Sequence, residues 1–188
     1  MTTTRMLTAD LLPDVERLFA TSKVTAGCSC MWFLLTSREF DSGYAAGNRA
    51  AFAALVPGNT LGVLAYRDSE PVGWVATGPR SRYGRLLRSP LLKGRDVAED
   101  GSTWVVPCFF VRRDARRQGV TDDLLAAAVD LAAARGARSV EAVPLAGPGP
   151  HPAMAAYVGT ESMFANAGFE VTARPSAARV IMRRGGKR

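Results

Sequence analysis

The stretch from Ser102 to Leu145 constrains the fold more than any other part of the chain. Thr103 to Val111 is an apolar run carrying Trp104, Val105, Val106, Phe109, Phe110 and Val111, the β-branched and aromatic pattern of a buried strand. Thr121 to Arg135 is alanine-rich, with Leu124, Leu125, Val129 and Leu131 on its core side. Asp122 and Asp123 fall in its first turn, where they suit the helix dipole and read as outward-facing. Gly136 stands where a left-handed residue ends a helix. Ser139 to Val143 reads as a second strand. A strand, a loop, a helix and a strand in this order predict a crossover connection with parallel pairing of the two strands. The fold class is therefore α/β or α+β, with helices covering a sheet.

The remaining segments fill in that frame. Thr3 to Thr8 reads as a first strand. A helix follows, with Asp10 as its N-cap, Pro13 in its first turn and Leu11, Val15, Leu18 and Phe19 on one face. Gly27 to Leu35 is apolar without a clear period. Ser37 to Leu55 reads as one helix weakened by Gly43 and Gly47. Leu61 to Tyr66 and Val72 to Thr77 form a hairpin around Arg67 to Pro71. Gly78 to Ser102 is a long basic connection with a single helical turn. Past a Pro/Gly-rich link from Pro144 to Pro152, a helix over Thr160 to Ala167 stops at Gly168. Phe169 to Ala173 and Arg179 to Arg184 make a last hairpin. The 188 residues suit one domain, 1–188.

Composition narrows the functional classes. Arg, Asp, Gly or Pro breaks every apolar run before membrane-spanning length, and Met1 to Leu7 lacks a basic stretch followed by an apolar core. The simplest location is the cytoplasm, with no membrane partner. Cys28, Cys30 and Cys108 are odd in number and read as free thiols. A zinc site would have to recruit His151, the single histidine, and the Cys28-Ser-Cys30 spacing is not that of a zinc knuckle, so no metal is expected. The net charge of +7 points to an anionic partner or a basic surface. It gathers at Arg80, Arg82, Arg85, Arg88, Lys93 and Arg95, at Arg112, Arg113, Arg116 and Arg117, and in the tail from Arg183 to Arg188. Nucleic acid is disfavoured as that partner, because no aromatic–basic platform and no DNA-reading motif accompanies these clusters.

The loop from Arg112 to Thr121 joins strand to helix and carries the chemistry. A helix start offers unsatisfied backbone N–H groups and the positive end of a dipole. Gly119 lets the backbone approach a bulky anion, and the flanking arginines add charge, which together suits a phosphate cradle. No Walker lysine follows a first glycine, and one glycine alone does not make a dinucleotide fingerprint. Read by itself, the same loop also fits a solvated basic turn in an ordinary crossover unit.

The segment FFVRRDARRQGVTDDLLAAAVDLAAARGA resembles the central motif of the GNAT superfamily of acyl-CoA-dependent N-acyltransferases, in which an apolar strand ending in Val precedes Gln/Arg-x-x-Gly-x-Gly/Ala at a helix start. The later FANAGFEV resembles that family's final Gly-Phe motif. The resemblance implies a mixed, mostly antiparallel sheet whose fourth and fifth strands splay apart, flanked by helices, with acyl-CoA in the opening. Carried over, backbone groups near Phe110 and Val111 hold the pantetheine arm. The amides of Arg116, Arg117, Gln118, Gly119, Val120 and Thr121 hold the pyrophosphate, and Thr121 departs from the usual small residue. The implied activity is acetyl transfer from acetyl-CoA to a primary amine of a small molecule or peptide, by direct attack in a ternary complex. A homodimer is compatible with it. The alternatives are a non-catalytic CoA-sensing domain and, behind it, a basic nucleic-acid-binding protein.

The family's usual side chains are partly missing. No carboxylate lies between Trp104 and Val111 to act as base. The tyrosine common four residues before the Gly-Phe pair is Phe164 here, which leaves Tyr157 as the candidate acid, or else a packed aromatic. Glu141 is a possible fifth-strand base, although a place on a solvated strand face is the better expectation. Cys108 either lines the site or is a buried thiol. Cys28 to Leu35 and Arg80 to Arg95 fall where the family varies its acceptor pocket.

Overall fold

The computed structural model describes residues 1–148 and 156–185. Its strands are β1 (Thr3–Met6), β2 (Gly62–Arg67), β3 (Glu70–Pro79), β4 (Thr103–Val111), β5 (Ser139–Ala142), β6 (Glu170–Ser176) and β7 (Arg179–Gly185). They form one sheet in the order β1-β2-β3-β4-β5-β7-β6. Every neighbouring pair is antiparallel except β4 with β5. The mixed, mostly antiparallel sheet is therefore present, and its parallel pair is the one the crossover helix predicts.

That sheet is buried on both faces in its middle, so β2, β3 and β4 read as nearly continuous apolar runs. On one face the crossover helix α6 (Val120–Ala134) packs Leu124, Leu125, Ala128 and Ala132 against Val63, Ala65, Val75, Val106 and Phe109. On the other, α1 (Leu12–Ala20) and α4 (Ala46–Leu55) bring Leu18, Phe19 and Phe52 onto Leu64, Trp74 and Phe110. Side chains alternate across a strand, so Val63 and Ala65 serve the first core while Leu64 and Tyr66 serve the second. Each fully buried aliphatic side chain contributes about 1.5–3 kcal/mol of transfer free energy.

Several expectations need correction. β1 stops at Met6, and a 3₁₀ turn at Ala9–Leu11 absorbs Asp10. Leu11, not Asp10, is the N-cap of α1, and no side chain caps it. The apolar Gly27 to Leu35 segment follows a short helix, α2 (Lys23–Cys28), which ends at Ser29 and Cys30, both with positive φ. Ser37 to Leu55 is two helices: α3 (Ser37–Ser42) ends at Gly43, and the chain reverses through Ala45 at φ 64° before α4. The buried Asn48 fixes that reversal by donating to Gly27 O and Phe40 O. The first hairpin turns tightly on Asp68 and Ser69, both at positive φ, rather than through a five-residue link. The Gly78 to Ser102 connection holds four short helical turns, including α5 (Gly84–Leu87). Thr160 caps α7 (Glu161–Asn166) through the Met163 N–H, and Gly168 follows at φ 79°.

Candidate active site

The β4–β5 ladder is short. Thr103, Trp104 and Val105 pair with Ser139, Val140 and Glu141. From Val106 to Val111, β4 has a strand neighbour only on its β3 side among the described residues. Two features end the ladder there. Pro107 has no N–H to donate, and the register with β3 slips between Ala76–Cys108 and Gly78–Val105, which bends the strand. The fourth and fifth strands therefore splay. Arg112 donates its N–H to Val72 O at 2.9 Å. Strand alternation then turns the backbone of Phe110 toward β3 and that of Phe109 and Val111 toward the open edge. Of the two positions expected to meet a pantetheine arm, Val111 offers an N–H and Phe110 does not, because the Phe110 backbone pairs with Trp74.

Beyond β4 the chain makes a 3₁₀ turn at Arg113–Ala115 and enters α6 through Gly119, the N-cap residue, at φ 80° and ψ −4°. The backbone N–H groups of Asp122 and Asp123 donate to Gly119 O at 3.0 and 3.1 Å. The backbone N–H groups of the six residues Arg116 to Thr121 make no hydrogen bond among the described residues. A run of orphan donors at the positive end of a helix is an anion site. Nothing stands within 4 Å of where a Cβ at Gly119 would be, so the approach to those donors is open. The residues present fit a diphosphate.

The side chains of this loop divide. Val120 is buried in the core, whereas Arg116, Arg117, Gln118 and Gly119 are exposed, and Asp122 and Asp123 face outward as read. Arg116 Nε donates to Val111 O at 3.0 Å, and Gln118 Nε2 to Asp114 O at 2.8 Å. No side chain caps α6, Thr121 included. Arg67 holds the loop from outside, donating Nη2 to Gln118 O at 2.7 Å and Nη1 to Gln118 Oε1. Sequence reading does not single out Arg67, because it lies 51 residues from its partner.

On the sheet face away from α6, a cavity of about 420 Å³ opens beside β4. Its walls are largely aromatic, with Phe19, Trp32, Phe40, Tyr44, Trp74 and Phe110 among them. Tyr157 lines it from a 3₁₀ turn at Ala156–Val158, its ring stacked on Phe110 at 6.5 Å and 22°. It is thus a packed aromatic that also lines the cavity. Phe164 points into the opposite core between Phe109 and Phe169, so the family's usual tyrosine position does not open on this cavity. All three cysteines line it and are free. Burial pushes the Cys28 thiol up to about 11. Cys30 is lowered by the Cys108 thiol beside it, with help from the Trp74 indole N–H, which reaches Cys30 Sγ at 3.2 Å.

Glu141 corrects an expectation: it is buried, not solvated. Arg80, fully buried, donates to both Glu141 oxygens at 3.1 and 3.2 Å, to Asp100 at 2.6 Å and to Asp96 O at 2.7 Å. Arg183 adds a contact to Glu141 at 3.2 Å and one to Glu99 at 2.8 Å. Both Glu141 oxygens are therefore engaged by guanidinium donors inside the protein. The Arg80 to Arg95 cluster is corrected as well. Arg80 and Arg95 pair with Asp100, and Arg85 lies over Trp32 at 3.9 Å, so much of that charge is used inside the molecule. Among the described residues no three His, Cys, Asp or Glu side chains group to hold a metal; His151 lies outside them. No helix among them is long and apolar enough to cross a membrane.

The model of the acetyltransferase (GNAT) family matches residues 30–157. The fold is similar to that of the ribosomal-protein-S18-alanine N-acetyltransferase from Escherichia coli, at TM-score 0.55 and 15% identity over 100% of this chain and 96% of that one. An N-acetyltransferase from Staphylococcus aureus Mu50 is similar at 0.58 and 12%, over 100% and 99%. The PaiA N-acetyltransferase from Thermoplasma acidophilum, solved with coenzyme A, is similar at 0.55 and 12%, over 98% and 99%. No curated protein matches the sequence.

Proposed function

Because the chain belongs to the acetyltransferase (GNAT) family, we propose that it transfers an acetyl group from acetyl-CoA to a primary amine by direct attack in a ternary complex. The observation that carries this reading is the run of unpartnered N–H groups from Arg116 to Thr121, set at the end of the open β4 edge that leads to the cavity. In this reading those amides hold the diphosphate and the Val111 N–H holds the arm. Acetyl-CoA supplies an activated thioester. The chain contributes mainly by holding two substrates together, and in this reading Tyr157, which lines the cavity, is the proton source for the leaving sulfur.

Calorimetry with acetyl-CoA tests this directly. Saturable binding, followed by CoA release in the presence of an amine panel, is the expected result, and absence of binding would overturn it. A second reading has one observation behind it: among the described residues no carboxylate lines the large cavity. Binding without turnover on any amine would favour a CoA-sensing domain.

A further inference from the structure

The cavity beside β4 carries information about its occupant. Among the described residues that line it, Arg179 is the only charged side chain, and none is a carboxylate. Arg179 Nη1 donates to Val143 O at 2.8 Å, and no acid pairs with this guanidinium among the described residues. Burial alone pulls it below its ordinary value, whereas Arg112 and Arg174, each bonded to a carboxylate, are raised. A smaller adjoining cavity of about 220 Å³ shares Trp32, Phe33, Val158 and Arg179 with the first. On its wall, Arg85 Nη2 is buried without a hydrogen-bond partner among the described residues. A partly buried guanidinium with no counter-charge, beside a buried N–H donor without a partner, suits an anion, and a planar carboxylate matches the guanidinium fork.

The same walls disfavour an ammonium ion. An alkylamine is charged at neutral pH, its conjugate acid having a pKa of about 10. Bringing it into this cavity would desolvate it near a cation with no acid to receive it. Aromatic faces can hold ammonium, but Arg85 already occupies one face of Trp32. Cys30 Sγ is engaged by the Trp74 indole, and Glu141 by Arg80 and Arg183. An amine conjugated to an aromatic ring is neutral at this pH and needs no base to expose its lone pair.

We infer that the acceptor is an aromatic amine of low basicity that also bears a carboxylate, with its ring between the cavity's aromatic walls and its carboxylate on Arg179. The volume lies within the roughly 300–1,000 Å³ of small-molecule pockets. This inference rests on the acetyltransferase reading above. In the step, the amine nitrogen bonds to the thioester carbonyl carbon as the carbon–sulfur bond breaks. One nitrogen proton leaves to water, the CoA sulfur takes a proton, and an arylamide forms.

The test uses the full chain with acetyl-CoA and counts CoA in quenched samples by chromatography. The acceptors are 4-aminobenzoate, aniline, phenylalanine and phenethylamine. 4-Aminobenzoate is expected to exceed each of the others at least tenfold in kcat/KM, and Arg179→Gln should raise its KM at least tenfold while leaving aniline within twofold. Should that variant not fold, quenching of the cavity tryptophans in the native chain serves instead. Benzoate should bind at least tenfold more tightly than benzamide. Faster turnover of phenylalanine or phenethylamine, or equal binding of benzoate and benzamide, would overturn the acceptor class while leaving the acetyltransferase reading intact. Failure to bind acetyl-CoA in calorimetry would overturn both.

Discussion

Gly119 meets two demands at once. Its φ of 80° is a conformation that side chains rarely adopt, and its missing side chain leaves the donors beside it uncovered. Gly119→Val is expected to weaken CoA binding at least tenfold, about 1.4 kcal/mol, with the fold retained because no atom lies within 4 Å of the new Cβ. Calorimetry on the variant, after circular dichroism shows it folded, checks this; unchanged affinity would mean the loop is an ordinary crossover turn. Arg116→Ala should cost less, since the amides stay. The thiols give a second expectation at this scale. A thiol raised by burial reaches its reactive thiolate form only at high pH, so iodoacetamide near pH 7.5 should label Cys28, pushed up to about 11, well after an unburied cysteine in a reference peptide. Peptide mapping reads the order. Local chemistry made the Arg112 to Thr121 loop legible in the sequence, because a glycine at a helix start carries its meaning with it. Arg85 stands in the Arg80 to Arg95 stretch expected near the acceptor pocket, whereas Arg179 gave no such sign; folding brings the two to adjoining cavity walls from distant segments.

The elements show the same division. The crossover helix and its flanking strands could be read because α6 contributes an apolar side to one core and ends in a left-handed glycine. Pro107 was visible too, though its consequence was not: a proline inside an apolar strand marks an edge without a partner. The break between α3 and α4 depends on the buried Asn48 and could not be read from the glycines alone. Thr36 and Glu39 form a capping box at the start of α3, a local signal that does fix that end. β2 acts on the site from a distance, since its last residue, Arg67, braces Gln118. Arg67→Ala should loosen the cradle and weaken CoA binding severalfold. Thermal stability should hardly change, because an exposed contact of this kind is worth little. A melting curve run beside the calorimetry separates a bracing role from a structural one.

At the scale of the whole molecule, one network of charge is turned inward. Arg80 joins the long connection to β5, and Arg183 extends the same network to β7. Removing Arg80 would take the fully buried donor from Glu141 and Asp100 and leave each with one partly buried guanidinium, Arg183 and Arg95, so Arg80→Ala is expected to destabilise the protein by about 3–5 kcal/mol. For a chain of this size that lowers the melting temperature by roughly 6–20 °C, which calorimetry of unfolding would register. The loop's charge pattern had suggested an anion-facing surface; which of its arginines meet acids is decided by tertiary contacts and is silent in the sequence. With Arg80, Arg95 and Arg183 paired to acids and no DNA-reading motif beside the exposed arginines, a random DNA duplex should bind weakly at moderate salt and show a shallow log–log salt slope. A steep slope in a titration would revive the nucleic-acid reading.

Three residue pairs join β4 to β5, so along that line a seven-stranded sheet is nearly two sheets laid side by side. Whatever fills the splay completes the wall between them. Deuterium uptake offers a way to see this. Amides of β5 and β7, far from any diphosphate, should exchange more slowly once CoA is bound, because the ligand stabilises the half of the sheet held by the shortest seam.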